Sequence, residues 1–295
     1  MAIERGGIGD QSGKASGLRS EILTVYEPRI FIFDSPEKVD LSASHMFIRQ
    51  IQRKPVSIIT CPTGDSPIPM YDQVATASEQ GEVDLSRMRI FNIDENWPLP
   101  DGHEATYKYF MDKNLYSRVN IPESQRHIPR SWIADPHREA QEYEALLAYY
   151  GPPDLSFLGL GPKKTCHIGF NERGSTVNSR TRHVFLDPET VETNRKHFPN
   201  PDEATDQAIT QGVGTLLEAR RLVFIIKGAG KAWGVNRTLL GEINADAPAS
   251  FTRYHPNMTV LMDVTAASEL PQGVQERRFV RQDITSFLEQ LDQAA

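Results

Sequence analysis

Six short apolar runs punctuate the chain, at 29–33 (RIFIF), 56–60 (VSIIT), 88–93 (MRIFNI), 155–160 (LSFLGL), 222–226 (LVFII) and 258–262 (MTVLM). Each is closed by turn residues and followed by a longer stretch of mixed polarity. Near-continuous apolar character, in place of strict alternation, is what a strand needs when both faces of its sheet are covered. It therefore points to parallel pairing with helical crossovers. The stretches 36–54, 67–82, 106–116, 136–150, 203–219, 231–243 and 283–294 have helical length, and several open on a proline or an acid. The pattern predicts an α/β fold of the Rossmann-like, doubly wound kind, a mostly parallel sheet with helices on both faces.

With 295 residues the chain has room for one large domain or two ordinary ones. Residues 1–20 are rich in Gly and Ser, so 1–25 is expected to form a flexible N-terminal tail and 26–295 a single α/β domain. The two cysteines, Cys61 and Cys166, are too few for a disulfide framework or a zinc site of their own, which fits a reducing, cytoplasmic setting. Thirty-nine Asp and Glu against thirty-two Lys and Arg give a net charge of −7, the wrong sign for a chain whose whole surface holds nucleic acid. No apolar run approaches the ~20 residues of a membrane span, and the first residues lack an apolar signal core, so neither membrane insertion nor secretion is expected.

In a doubly wound sheet, ligands bind beyond the carboxyl ends of the strands, so the residues after each run are where chemistry is sought. The second run leads into Cys61-Pro62-Thr63-Gly64-Asp65-Ser66-Pro67, a turn that feeds a helix. Its N–H groups suit an anion or an array of sugar hydroxyls, although an ordinary loop reads the same way and the Asp65 carboxylate would repel a phosphate. The third run closes on Asn92-Ile93-Asp94-Glu95, two acids at a buried strand end. Desolvation there would tune a carboxylate into a general base, the alternative being a helix cap.

The fourth run ends in Gly159-Leu160-Gly161 and continues through Lys163, Lys164, Thr165 and Cys166 to His167-Ile168-Gly169-Phe170-Asn171-Glu172. An imidazole with a carboxylate five positions on suits an acid/base pair moving protons on a sugar oxygen. His167 and Glu172 supply two metal ligands and spacing places no third, so neither a metal nor another cofactor is expected. The basic clusters around Arg180 to His183 and around Arg195, Lys196 and His197 offer either an anion clamp or a solvated face. Cys166, beside His167, reads as a nucleophile or as a buried inert thiol, and no Cys-His-Asn pattern supports the former.

In order along the chain, these segments resemble the glucosamine-6-phosphate deaminase (isomerase) family, which groups with 6-phosphogluconolactonases in one Rossmann-like superfamily. The resemblance spans roughly 29–270. It rests on CPTGDSP at 61–67, FNIDE at 91–95, ATYKYFM at 105–111, HIGFNE at 167–172, SRTR at 179–182 and QGVGTLL at 211–217. It implies cofactor-free chemistry on an amino sugar. His167 would open the pyranose ring with Glu172 holding its tautomer, and Asp94 would move the C2 proton through an enolamine. Hydrolysis of the imine would then release ammonia and leave a ketose. Thr63, Gly64, Asp65, Ser66, Glu95, Lys163, Lys164, Arg195, Lys196 and Asp206 would line the substrate site, with Thr165 in the relay at the place where the family carries an Asp.

Two departures bear on substrate. Asp206 aligns with a family lysine that binds phosphate, and Asp65 stands where Gly or Ser is usual, so two acids are expected to face the phosphate. The expectation is a substrate whose anionic group is missing or held by Lys163 and Lys164. Two other functions remain open: a sugar-lactone hydrolase, in which His167 would activate water, and a non-catalytic sugar-binding relative. The partner is a small sugar, and oligomeric state, homo-oligomer or not, is left open.

Overall fold

A computed structural model describes residues 23–161, 165–273, 279–281 and 286–289. The tail expected over 1–25 lies outside them except for 23–25, which are exposed and irregular, and Lys163 and Lys164 also fall outside. Eight strands form one sheet in which every pair is parallel. In chain order they are β1 (Arg29–Phe33), β2 (Ile58–Cys61), β3 (Arg89–Asn92), β5 (Arg126–His127), β6 (Leu155–Leu158), β9 (Leu222–Ile226), β10 (Met258–Asp263) and β11 (Phe279–Arg281). Their spatial order is β11-β1-β10-β9-β6-β2-β3-β5.

The continuous apolar runs are explained by this sheet, because successive residues feed different cores. On β9, Val223 and Ile225 join the core under α1 (Pro36–Arg53) and α2 (Ile68–Glu79). Leu222, Phe224 and Ile226 join the opposite core, under α6 (Val213–Leu217) and α7 (Ala232–Leu240). On β1, Phe33 faces the first core and Ile30 and Ile32 the second. The expected helix over 136–150 is realised residue for residue as α4 (Pro136–Tyr150). Asp135 caps it by accepting the His137 and Arg138 N–H groups, and Gly151 ends it at φ +99°.

The helix expected over 203–219 is a correction. Its first half is a strand, β8 (Gln207–Thr210), and only Val213–Leu217 is helical. β8 is the middle strand of a second, antiparallel sheet with β4 (Asp94–Trp97) and β7 (Arg182–Phe185), in the order β4-β8-β7. Tertiary pairing overrides the local spacing here, and the two glycines that follow β8 explain themselves by contact. A Cβ on Gly212 would lie 2.0 Å from the Ser179 carbonyl oxygen, and one on Gly214 would lie 2.8 Å from that of Val177. The QGVGTLL and SRTR segments are therefore packing partners.

β2 and β6 are neighbours from which the chain leaves in opposite directions, β2 towards β3 and β5, β6 towards β9 and β10. That makes their carboxyl ends the switch point at which a crevice opens. β4 continues directly from β3, and the small sheet brings it over this crevice.

Candidate active site

A cavity of about 570 Å³ occupies the switch point. The turn after β2 contributes Thr63, Gly64, Asp65 and Ser66, β4 contributes Asp94, and the turn after β6 brings Gly161 and His167. Tyr107 and Phe110 close it from α3 (Tyr107–Asn114), Lys196 from the turn after α5 (Pro188–Asn194), and Lys231 from the turn after β9.

Asp94 is buried, and desolvation alone pushes its carboxyl up to about 7. Gly169, at φ +54°, makes room for it. A Cβ there would stand 3.3 Å from Asp94 Oδ2, 2.9 Å from Thr210 Oγ1 and 2.6 Å from Ile93. His167 is also buried, its ring so close to Gly161 that a Cβ on that glycine would meet ring atoms at 2.4 to 2.6 Å. Its Nδ1 lies 3.1 Å from Glu172 Oε2 and 3.5 Å from Thr190 Oγ1. Burial presses the Glu172 carboxyl upward, but the hydrogen bond and charge of His167, helped by the Thr190 hydroxyl, outweigh it and hold the group below its ordinary value. With Nδ1 committed to that carboxylate, Nε2 is the ring nitrogen left to meet a ligand.

Other expected residues fall elsewhere. Glu95 is not on the cavity wall. Its carboxylate accepts the N–H groups of Asn96, Tyr107 and Lys108, so it caps α3 from below. Burial raises that carboxyl to about 8 even though the N–H groups oppose the rise. Thr165 is buried and off the lining. Arg195 turns away to Glu192 at 3.1 Å and Asp202 at 3.7 Å, and its neighbour Lys196 reaches the cavity in its place.

Asp206 is a correction to the expectation of two acids at a phosphate. It sits at the far end of the small sheet, where its carbonyl accepts the Leu186 N–H and its charge acts on His183. Asp65 does line the cavity, but its Oδ2 lies 2.5 Å from Lys196 Nζ, which first among its surroundings holds the carboxyl below the usual range. Of the SRTR segment, Arg180 binds Glu144 and Glu218, and Arg182 donates to Asn171 Oδ1 at 2.9 Å and Ser175 Oγ at 2.7 Å, so both arginines knit the fold together. Both cysteines are free and buried, and burial raises the Cys166 thiol, which suits the inert alternative.

Lys231, Thr190 and Tyr107 are site residues that the sequence expectations missed. Lys231 donates to the Leu160 carbonyl at 2.6 Å, and burial first, with Lys196 second, lowers its pKa to about 8. The Gly-Ala-Gly-Lys turn after β9 obeys the same strand-end rule that located the other turns, and was the signal available for it. Thr190 left no signal, because its contact with His167 spans 23 positions. Among the described residues no helix is long and apolar enough to cross a membrane.

The model of the family described as glucosamine-6-phosphate isomerases/6-phosphogluconolactonase matches residues 43–261. Over 242 residues, 82% of this chain, the sequence is 36% identical to a glucosamine-6-phosphate deaminase of Halothermothrix orenii, all of which is covered. It is 38% identical over the same length to one of Hahella chejuensis, with 92% of that protein covered. Among solved structures, a monomeric glucosamine-6-phosphate deaminase superposes with a TM-score of 0.78 at 30% identity, covering 81% of this chain and 99% of that one. A 6-phosphogluconolactonase from Trypanosoma brucei superposes with a TM-score of 0.67 at 18% identity, covering 83% of this chain and all of that one, a likeness of fold.

Proposed function

Since the chain belongs to the glucosamine-6-phosphate isomerase/6-phosphogluconolactonase family, we propose that it is an amino-sugar-phosphate deaminase that isomerises its substrate and releases ammonia. One observation carries this reading: a buried carboxylate, Asp94, raised to about 7, shares a cavity with an imidazole, His167, whose other nitrogen is tied to a carboxylate. Two proton-transfer groups brought to one cavity by different strand ends can serve two parts of one open-chain sugar, and neither step calls for a metal.

His167 Nε2 takes the proton of the anomeric hydroxyl and returns one to the ring oxygen as the C1–O5 bond breaks. Glu172 fixes the tautomer and stabilises the imidazolium formed in between. Asp94 then removes the C2 proton as the C1 carbonyl oxygen takes one from solvent, giving an enolamine, and delivers the C2 proton to C1. Water adds to the resulting C2 imine, and the C–N bond breaks to give ammonia and a ketose. Near its raised pKa, Asp94 is a stronger base than an ordinary carboxylate and still ionised in a large fraction at neutral pH. With Asp206 outside the cavity and Asp65 paired to Lys196, the acids expected to oppose a phosphate no longer argue against one.

The test is ammonia release from glucosamine 6-phosphate, with C2 proton exchange followed in deuterium oxide. Asp94→Asn should abolish both. Acid production from a sugar lactone without ammonia, persisting in Asp94→Asn, would replace this reading with the hydrolase one.

A further inference from the structure

Among the cations on the cavity wall, Lys196 is engaged by a carboxylate of the same wall. Its Nζ lies 2.5 Å from Asp65 Oδ2, although the two residues are 131 positions apart. Both side chains remain more than half exposed, at 56% and 64%, so the pair is of the weak kind that water and salt compete with readily. Asp65 belongs to the turn that an anion would occupy. Lys231, close enough to Lys196 for their charges to act on one another, donates to the Leu160 carbonyl and to no carboxylate among the described residues. Of the three lysines on the cavity wall, Lys113, Lys196 and Lys231, the last two are thus electrostatic neighbours, and Lys196 is held by an internal anion.

We infer that the Asp65–Lys196 ion pair is an affinity-setting latch, in which Asp65 occupies Lys196 in the empty cavity and must surrender it to the terminal phosphate of the sugar. The inference rests on the deaminase reading for the identity of that phosphate, and extends it by assigning two specificity-determining residues. A dianion forms the stronger pair with a lysine and displaces a single carboxylate, whereas an amino sugar without a phosphate leaves the latch shut and gains nothing from Lys196. Lys196 thus favours phosphorylated over free amino sugars, and the latch narrows that preference by weakening the affinity for the phosphate itself.

The experiment is a double-mutant cycle read by calorimetric titration of inorganic phosphate, with KM for glucosamine 6-phosphate as a second readout. Asp65→Asn should tighten phosphate binding on the order of tenfold, Lys196→Met should weaken it comparably, and the gain from Asp65→Asn should shrink to threefold or less in the Lys196→Met background. Asp65→Ser should reproduce the Asp65→Asn result if the asparagine variant is poorly folded. Unchanged or weakened phosphate binding in Asp65→Asn overturns the latch. So does a gain of equal size with and without Lys196, or a wild-type protein that binds no phosphate. If the cycle behaves as expected while the wild type releases no ammonia from glucosamine 6-phosphate, the latch stands and the deaminase reading falls.

Discussion

Replacing Asp94 by Asn separates the two consequences of burying a base. Burial carries this carboxyl from 3.8 to about 7, which corresponds to roughly 4 kcal/mol between the charged and neutral forms. The folded protein therefore holds the proton more tightly than the unfolded chain. Its stability falls as pH rises from 3.8 through about 7 and stays lower above that, while below 3.8 both states are protonated and the penalty vanishes. Asp94→Asn, which cannot ionise, should raise the midpoint of thermal unfolding at pH 8 and raise it by only about a quarter as much at pH 4.5. The same group governs turnover in the opposite sense. The ionised fraction of a group of pKa about 7 falls roughly tenfold between pH 8 and 6, so kcat/KM of the wild type should fall by that factor on the acid side. Differential scanning fluorimetry of both proteins and a pH profile of ammonia release supply the measurements. An acid limb near pH 4, or an Asn variant no more stable than wild type at pH 8, would refute the desolvated-base account.

Three further outcomes follow from contacts at the site. Gly161→Ala places a methyl 2.4 Å from the His167 ring, which must swing away, and kcat should drop tenfold or more while the unfolding midpoint moves little. Glu172→Gln keeps the shape but removes the charge that holds His167, and kcat should fall by about 10- to 100-fold, with ring opening followed separately by using open-chain substrate analogues. Glu95→Ala leaves two N–H groups at the start of α3, and that of Asn96 on β4, without their carboxylate, and should lower stability by about 1–3 kcal/mol in urea titration while raising KM, because α3 carries cavity-lining Tyr107 and Phe110.

Much of this protein was legible in one dimension. Each of the six apolar runs falls on a strand of the large sheet to within two residues at either end, and 29–33 and 222–226 match β1 and β9 residue for residue. A strand covered on both faces has to be apolar at successive positions whatever its partners are. The strand-end rule led to the turns after β2 and β6 and to Asp94, because in parallel sheets the crevice always opens at carboxyl ends. β4, in contrast, reads Asp-Glu-Asn-Trp and announces nothing as a strand. Its charges are tolerable only where Asp94 finds the cavity and Glu95 the start of a helix.

The sequence by itself determined six of the eight strands of the large sheet, its two apolar faces and the residues capable of acid/base chemistry, since each depends on local period or on side-chain identity. Tertiary structure decided which charges meet. It carried Asp206 out of the cavity, turned Arg195 away, and put Lys196 against Asp65 and within electrostatic reach of Lys231. Such pairings depend on separations of a few ångströms between residues far apart in the chain, and electrostatic energy at a site follows distance and burial, neither of which is written in the order of residues.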